Sequence, residues 1–311
     1  MRKGYCFLLV FILVGLLVQG KKKVMVTSAF SILTEFDKVR DLTISSYGDE
    51  AYVTIQSNTE DNSGISKLRK ENSDWTLEVA SFSGTFKDLE PFLSPDGLRL
   101  YFVSNRPLQD SIPKPKDFDV WYVERTEKNA PWGKPKNLLA PVNSEANEFY
   151  PALAKNGNLY FTSDREGSMG KDDIFFSEWT GKIFGPPTAL DENINSPGFE
   201  YHAYISQDES YLLFGAYRSE DGLRSGDIYM SQKDEYGMWS KARPLPTSIN
   251  SKQMDYCPFV DKANQQLYFT SRRDSLPVMP IPSINKLKRY LDSYQNGTSR
   301  IYKAYFSIPD Q

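Results

Sequence analysis

Four carboxylates and four arginines recur at matched places along this chain of 311 residues. Asp88, Glu148, Glu200 and Asp255 each stand three residues before the equivalent positions Pro91, Pro151, Ala203 and Pro258. Arg106, Arg165, Arg218 and Arg273 each close a short apolar segment further on. Three chemistries fit such a set. An acid and an Arg brought to one face form a strong, directional ion pair that fastens a loop. A ring of acids at a channel mouth binds a cation or a basic peptide. Two acids in different environments hydrolyse a glycosidic bond, one donating a proton and the other attacking or activating water. Here the acids are equivalents of one another, so the ion-pair reading comes first, and Asp88 with Glu148 or Glu200 is the pair a hydrolase would need.

Other chemistry finds less footing. The chain has one histidine, His202, beside Glu200 and Tyr201, and it is a candidate ligand contact at the channel mouth. No G-x-S-x-G elbow accompanies it. One histidine rules out a histidine-rich metal site, and no metal or cofactor is expected. No glycine-rich phosphate loop joins a strand to a helix. A net charge of −3 without a basic stripe gives nucleic acid nothing to bind. Cys257, next to Pro258, reads as a small buried hydrophobe.

These residues belong to a repeat. Asn143-Ser144, Asn195-Ser196 and Asn250-Ser251 each precede a carboxylate by the same distance, and Asn side chains tie turns to their own backbone. Asn156-Gly157 marks a tight hairpin between a first strand and Leu159–Ser163. Second strands recur at Leu100–Ser104, Tyr211–Phe214 and Leu267–Ser271, and third strands at Asp119–Tyr122, Asp173–Ser177, Asp227–Met230 and Arg300–Lys303. Fourth strands are expected within Trp132–Leu138, Phe184–Leu190 and Trp239–Leu245. The repeat positions 91, 151, 203 and 258 are 60, 52 and 55 residues apart. A weaker first copy starts near Thr43. Four-stranded antiparallel units of this length are propeller blades, and five of them make an all-β five-bladed propeller. The last unit lacks a fourth strand, and leaving its edge open would be a liability. Phe30–Phe36 has the fourth-strand spacing and is expected to fill the gap, closing the ring.

Two inserts, Pro107–Lys116 and Ser275–Thr298, fall between second and third strands, where long loops on a rigid scaffold often carry binding. Ser283–Tyr294 has helical spacing, with Ile284, Leu287 and Leu291 on one face. At the start of the chain, Arg2 and Lys3 precede an apolar run from Tyr5 to Val18 and then Gln19-Gly20. This is the pattern of a signal peptide, residues 1–20, cleaved near Gly20. Lys21-Lys22-Lys23 opposes export and leaves an N-terminal membrane anchor as the alternative. The propeller domain is then 24–311, with no membrane span after cleavage.

Ser94-Pro95-Asp96-Gly97, Tyr101-Phe102-Val103-Ser104-Asn105-Arg106 and Gly170-Lys171-Asp172-Asp173-Ile174 resemble the WD-like propeller repeat of the TolB family, in its exported Gram-negative form. The resemblance covers Thr43–Phe306. It implies a propeller in the periplasm or a secreted one. TolB-type rings usually have six blades, which makes a six-bladed ring the alternative to the five counted here. The expected function is non-catalytic binding of a protein, peptide or glycan in the cell envelope, with glycoside hydrolysis through channel-mouth carboxylates as the alternative.

Overall fold

The computed structural model describes residues 25–72, 74–109, 116–218, 226–274 and 280–308. After the short strand β1 (Thr27–Ser28), the chain forms five blades of four antiparallel strands. Blade 1 holds β2 (Val39–Ile44), β3 (Glu50–Gln56), β4 (Ser63–Glu71) and β5 (Asp74–Val79). Blade 2 holds β6 (Asp88–Leu93), β7 (Arg99–Ser104), β8 (Asp119–Glu124) and β9 (Lys136–Asn137). Blade 3 holds β10 (Glu148–Leu153), β11 (Leu159–Ser163), β12 (Asp173–Ser177) and β13 (Thr188–Ala189). Blade 4 holds β14 (Phe199–Ile205), β15 (Tyr211–Tyr217), β16 (Asp227–Gln232) and β17 (Arg243–Pro244). Blade 5 holds β18 (Asp255–Asp261), β19 (Gln266–Ser271), β20 (Arg300–Tyr305) and, at its edge, β1.

The second strands explain why the repeat reads as an unbroken apolar run. Each lies between two neighbouring blades, so both of its faces are covered, and alternation disappears. Every residue of β11 is buried, as are Leu100 to Ser104 of β7. Phe102, Phe161, Phe214 and Phe269 are fully buried at one equivalent position of four blades.

Closure uses the N-terminal segment, but a different part of it than its spacing implied. Thr27 pairs with Lys303 and Ser28 with Tyr302, and the Ala29 N–H donates to the Ile301 carbonyl at 3.1 Å. Phe30–Phe36 is not a strand. Ser31–Glu35 is a 3₁₀ turn that plugs the seam between blades 5 and 1. Phe30 meets Trp75 edge-on at 5.2 Å and stacks on Tyr268 at 6.1 Å, while Leu33 is buried below. Arg300 donates to the carbonyls of Thr34 and Phe36 and fixes this turn. The aromatic-to-Leu spacing was a poor guide because the fourth strands β9, β13 and β17 are only two residues each and occupy the end of that span.

In the second insert, α1 (Ile284–Leu291) is shorter than the spacing predicted and is capped by the Ser283 side chain. Its Ile284 and Leu291 are exposed. Residues 110–115 and 275–279 of the two inserts lie outside the described residues, as do residues 1–24. Among the described residues no helix is long and apolar enough to cross a membrane.

Candidate functional site

The topology gives the disc two unlike faces. First strands start, and second strands end, on the face that carries the inserts. The first-to-second hairpins and the third-to-fourth connections lie on the other face.

The four repeated carboxylates start the innermost strands β6, β10, β14 and β18, on the insert face, and all four are fully buried. Arg106 Nη2 donates to Asp88 at 2.6 Å, Arg165 Nη2 to Glu148 at 2.8 Å, Arg218 Nε to Glu200 at 2.8 Å and Arg273 Nη2 to Asp255 at 2.9 Å. The incoming loop supplies further donors to these carboxylates. Ser144 gives Glu148 its hydroxyl at 2.6 Å and its N–H at 3.1 Å, and Ser196 treats Glu200 the same way at 2.6 and 2.9 Å. In blade 2, Ser83 supplies the hydroxyl to Asp88 at 2.8 Å. Each Arg also donates to a backbone carbonyl of that loop, those of Phe82, Val142, Ile194 and Ile249. The guanidinium lies over the buried Phe of its own second strand, 5.0 Å from the Phe161 ring for Arg165. Burial pushes Glu148 and Glu200 above the usual carboxylate range, outweighing their Ser and Arg partners. Asn143, Asn195 and Asn250 clasp the preceding blade: the Asn143 amide both accepts from and donates to the Val120 backbone, at 3.0 and 2.9 Å. This constellation joins blades, and none of its acids lines either of the two cavities described below.

The axis is built from residues that the spacing did not bring together. Each first strand carries a bulge, and its first residue has a positive φ: Asp41 at 58°, Glu90 at 59°, Tyr150 at 53°, His202 at 57° and Cys257 at 50°. Left-handed backbone at bulky residues is uncommon. Here it recurs in all five blades, because the bulge turns one side chain per blade towards the axis. Arg40 sits among them. Its Nη2 lies 3.1 Å from Glu90 Oε1, 2.8 Å from the Tyr150 hydroxyl and 2.9 Å from His202 Nε2. Its Nε lies 2.8 Å from Asp41 Oδ2. The Cys257 thiol donates to Asp41 Oδ1 at 2.7 Å. His202 is therefore a buried axial residue rather than one at an open mouth, and Cys257 has a polar setting, not the apolar one expected for a small hydrophobe. Burial, with the Arg40 charge added, drives His202 far below the ordinary histidine range, so it is neutral. Burial and then Asp41 raise the Cys257 thiol, and burial pushes Glu90 up to about 8. A clue did exist in the sequence. Four of these residues immediately precede Pro91, Pro151, Ala203 and Pro258, the repeat positions themselves.

Two cavities flank this cluster on the hairpin side. A small one of about 50 Å³ is lined by Glu90, Tyr150, His202, Cys257 and their neighbours. Above it opens a funnel of about 1550 Å³. Phe92, Tyr204 and Phe259 line both, forming the floor of one and the roof of the other. The funnel rim carries Tyr47, Asp96, Arg99, Lys155, Asp261 and Lys262. Tyr47 is 70% exposed. The wide mouth thus lies on the face opposite the two inserts.

No family model matches the sequence, and no curated protein matches it. Solved structures share the architecture. An endo-arabinase from Bacteroides thetaiotaomicron superposes with a TM-score of 0.54 at 14% identity, over 91% of this chain and 99% of that one. An α-L-arabinofuranosidase from Podospora anserina, solved with cellotriose, gives 0.53 at 11%, over 91% and 94%. TolB from Acinetobacter baumannii gives 0.47 at 12%, over 86% of this chain and 54% of that one, so this chain spans about half of TolB's length. At such identities the likeness concerns the fold.

Proposed function

We propose that this chain is a non-catalytic binding propeller of the cell envelope, exported by its N-terminal segment, which takes an extended segment of a protein partner into the funnel. The observation that carries the reading is the funnel itself, an open volume of about 1550 Å³ with an aromatic floor and a rim of both charges. Such a mouth suits a chain that buries apolar side chains and pairs its own charges at the edge.

Hydrolysis of a glycan would need an acid able to donate a proton, facing the ligand, and a second carboxylate nearby. Asp88, Glu148, Glu200 and Asp255 are buried on the other side of the disc and bonded to arginines. Of the acids at the funnel, Glu124 is held below its ordinary range by Lys136, with Arg99 adding to it. Asp261 accepts from Asn264 at 3.1 and 2.7 Å, and Asp96 from Ser94 at 2.6 Å. Lys136 and Arg99 thus favour a charged Glu124, which does not donate a proton, and Asp261 and Asp96 are bonded within their own loops.

Capture of partners from intact envelopes, with Tyr47→Ala and Lys155→Glu as controls, tests the proposal. Both side chains are exposed, so the variants are expected to fold like the parent and to lose the captured protein. Turnover of an arabinan or xylan panel, abolished by Asp261→Asn or Glu124→Gln, would overturn it in favour of the hydrolase.

A further inference from the structure

We propose that the propeller axis holds a zinc ion, bound by the Cys257 thiolate, an imidazole nitrogen of His202 and a carboxylate oxygen of Asp41. The three come from blades 5, 4 and 1, and one donor atom from each lies within 4.8 Å of the others. All three residues are buried. Sulfur, nitrogen and oxygen donors in one cluster are the set that zinc takes, at about 2.3 Å for sulfur and about 2.0 Å for nitrogen. Three protein ligands leave a fourth position, and the adjoining cavity of about 50 Å³ has room for a water there.

A second observation points the same way. The cluster is short of partners as it stands. His202 Nδ1 is buried without a hydrogen-bond partner, and Asp41 Oδ2 has only the Arg40 Nε at 2.8 Å. Arg40 Nη2 carries two hydrogens and faces Glu90, Tyr150 and His202, while Glu90 also accepts from the Tyr150 N–H at 2.7 Å. Buried polar atoms such as His202 Nδ1 are rarely left unpaired. A metal on the imidazole would engage the ring and leave Arg40 Nη2 to Glu90 and Tyr150. The opposing factor is the Arg40 charge. It is already held between Asp41 at 2.8 Å and Glu90 at 3.1 Å, and these contacts would orient the ligating carboxylate as an outer shell does. On coordination the thiol hydrogen leaves to bulk solvent as a proton and the S–H bond is replaced by S–Zn. One histidine argues against a histidine-rich site, but it is no argument against a mixed set.

Cobalt replaces zinc as a coloured probe. The full chain, produced in cobalt-supplemented medium because the site is buried, is expected to retain one equivalent after dialysis and to show a thiolate-to-cobalt charge-transfer band. Cys257→Ser is expected to remove the band, and His202→Gln to weaken Zn²⁺ retention at least about tenfold. Glu148→Gln, in the separate ion-pair cluster, is expected to keep both. Absence of the band from the parent chain, or zinc retained equally by parent, Cys257→Ser and His202→Gln, overturns the site. If a variant fails to fold, the band in the parent chain still decides.

Discussion

The repeated acid and Arg act as a unit, and the cost of disturbing them depends on whether one or both are removed. Glu148 is fully buried and needs Arg165 and Ser144. Arg165→Met leaves a buried charge half-compensated and is expected to cost about 3–5 kcal/mol in urea unfolding. The double variant Glu148→Gln with Arg165→Met removes the charge as well and is expected to recover a good part of that loss. A double variant no more stable than the single would show that the pair does not act as a unit. The same burial sets a pH dependence. Glu148 and Glu200 are raised above their ordinary 4.5, so the folded chain holds these protons more tightly than the unfolded chain. Their contribution is fully present below pH 4.5 and is lost as pH rises through their raised values. Urea midpoints measured upwards from about pH 4 are expected to fall less steeply in Glu200→Gln than in the parent.

At the level of elements, the ring is fastened by two residues of β1 and by the turn behind it. Removing the chain through Ser28 exposes the Tyr302 and Lys303 edge of β20 but leaves Phe30 and Leu33 in the seam. The expected loss is about 1–2 kcal/mol, a fall in Tm of roughly 2–3 °C. Removing residues through Phe36 also takes out the buried Phe30 and Leu33, and the fall is expected to be at least twice as large by calorimetry. How far the sequence reached follows from the same elements. The blades were legible because apolar second strands between doubly covered neighbours recur, reading Leu-Tyr-Phe in three of the five. The closing strand was not, since two residues pairing through backbone alone leave almost no side-chain signature. Nor was the axis. Asp41, Glu90, Tyr150, His202 and Cys257 share a backbone conformation, not a residue type, so looking for repeated chemistry passes over them. The repeated acids, conspicuous by spacing, turned out to sit away from both cavities.

For the molecule as a whole, the direction in which the N-terminus leaves the disc connects export to access. β1 runs antiparallel to β20, with Thr27 opposite Lys303 and Ser28 opposite Tyr302. The chain before Thr27 therefore arrives from the end of β20, which is the funnel face. Residues 19–26 separate the apolar run from β1, and even fully extended they reach only about 26–29 Å. If the run stayed in a bilayer, that tether would hold the funnel mouth against the membrane, with Lys21-Lys22-Lys23 between them. A partner segment would then have to enter edge-on. Cleavage after Gly20 frees the mouth. The binding reading thus favours a mature chain that begins at Lys21, and mass spectrometry of the exported protein is expected to find that terminus. An intact chain in the membrane fraction would turn the open funnel towards lipid. In that case Tyr47→Ala, at the exposed rim, is expected to alter membrane association more than partner capture.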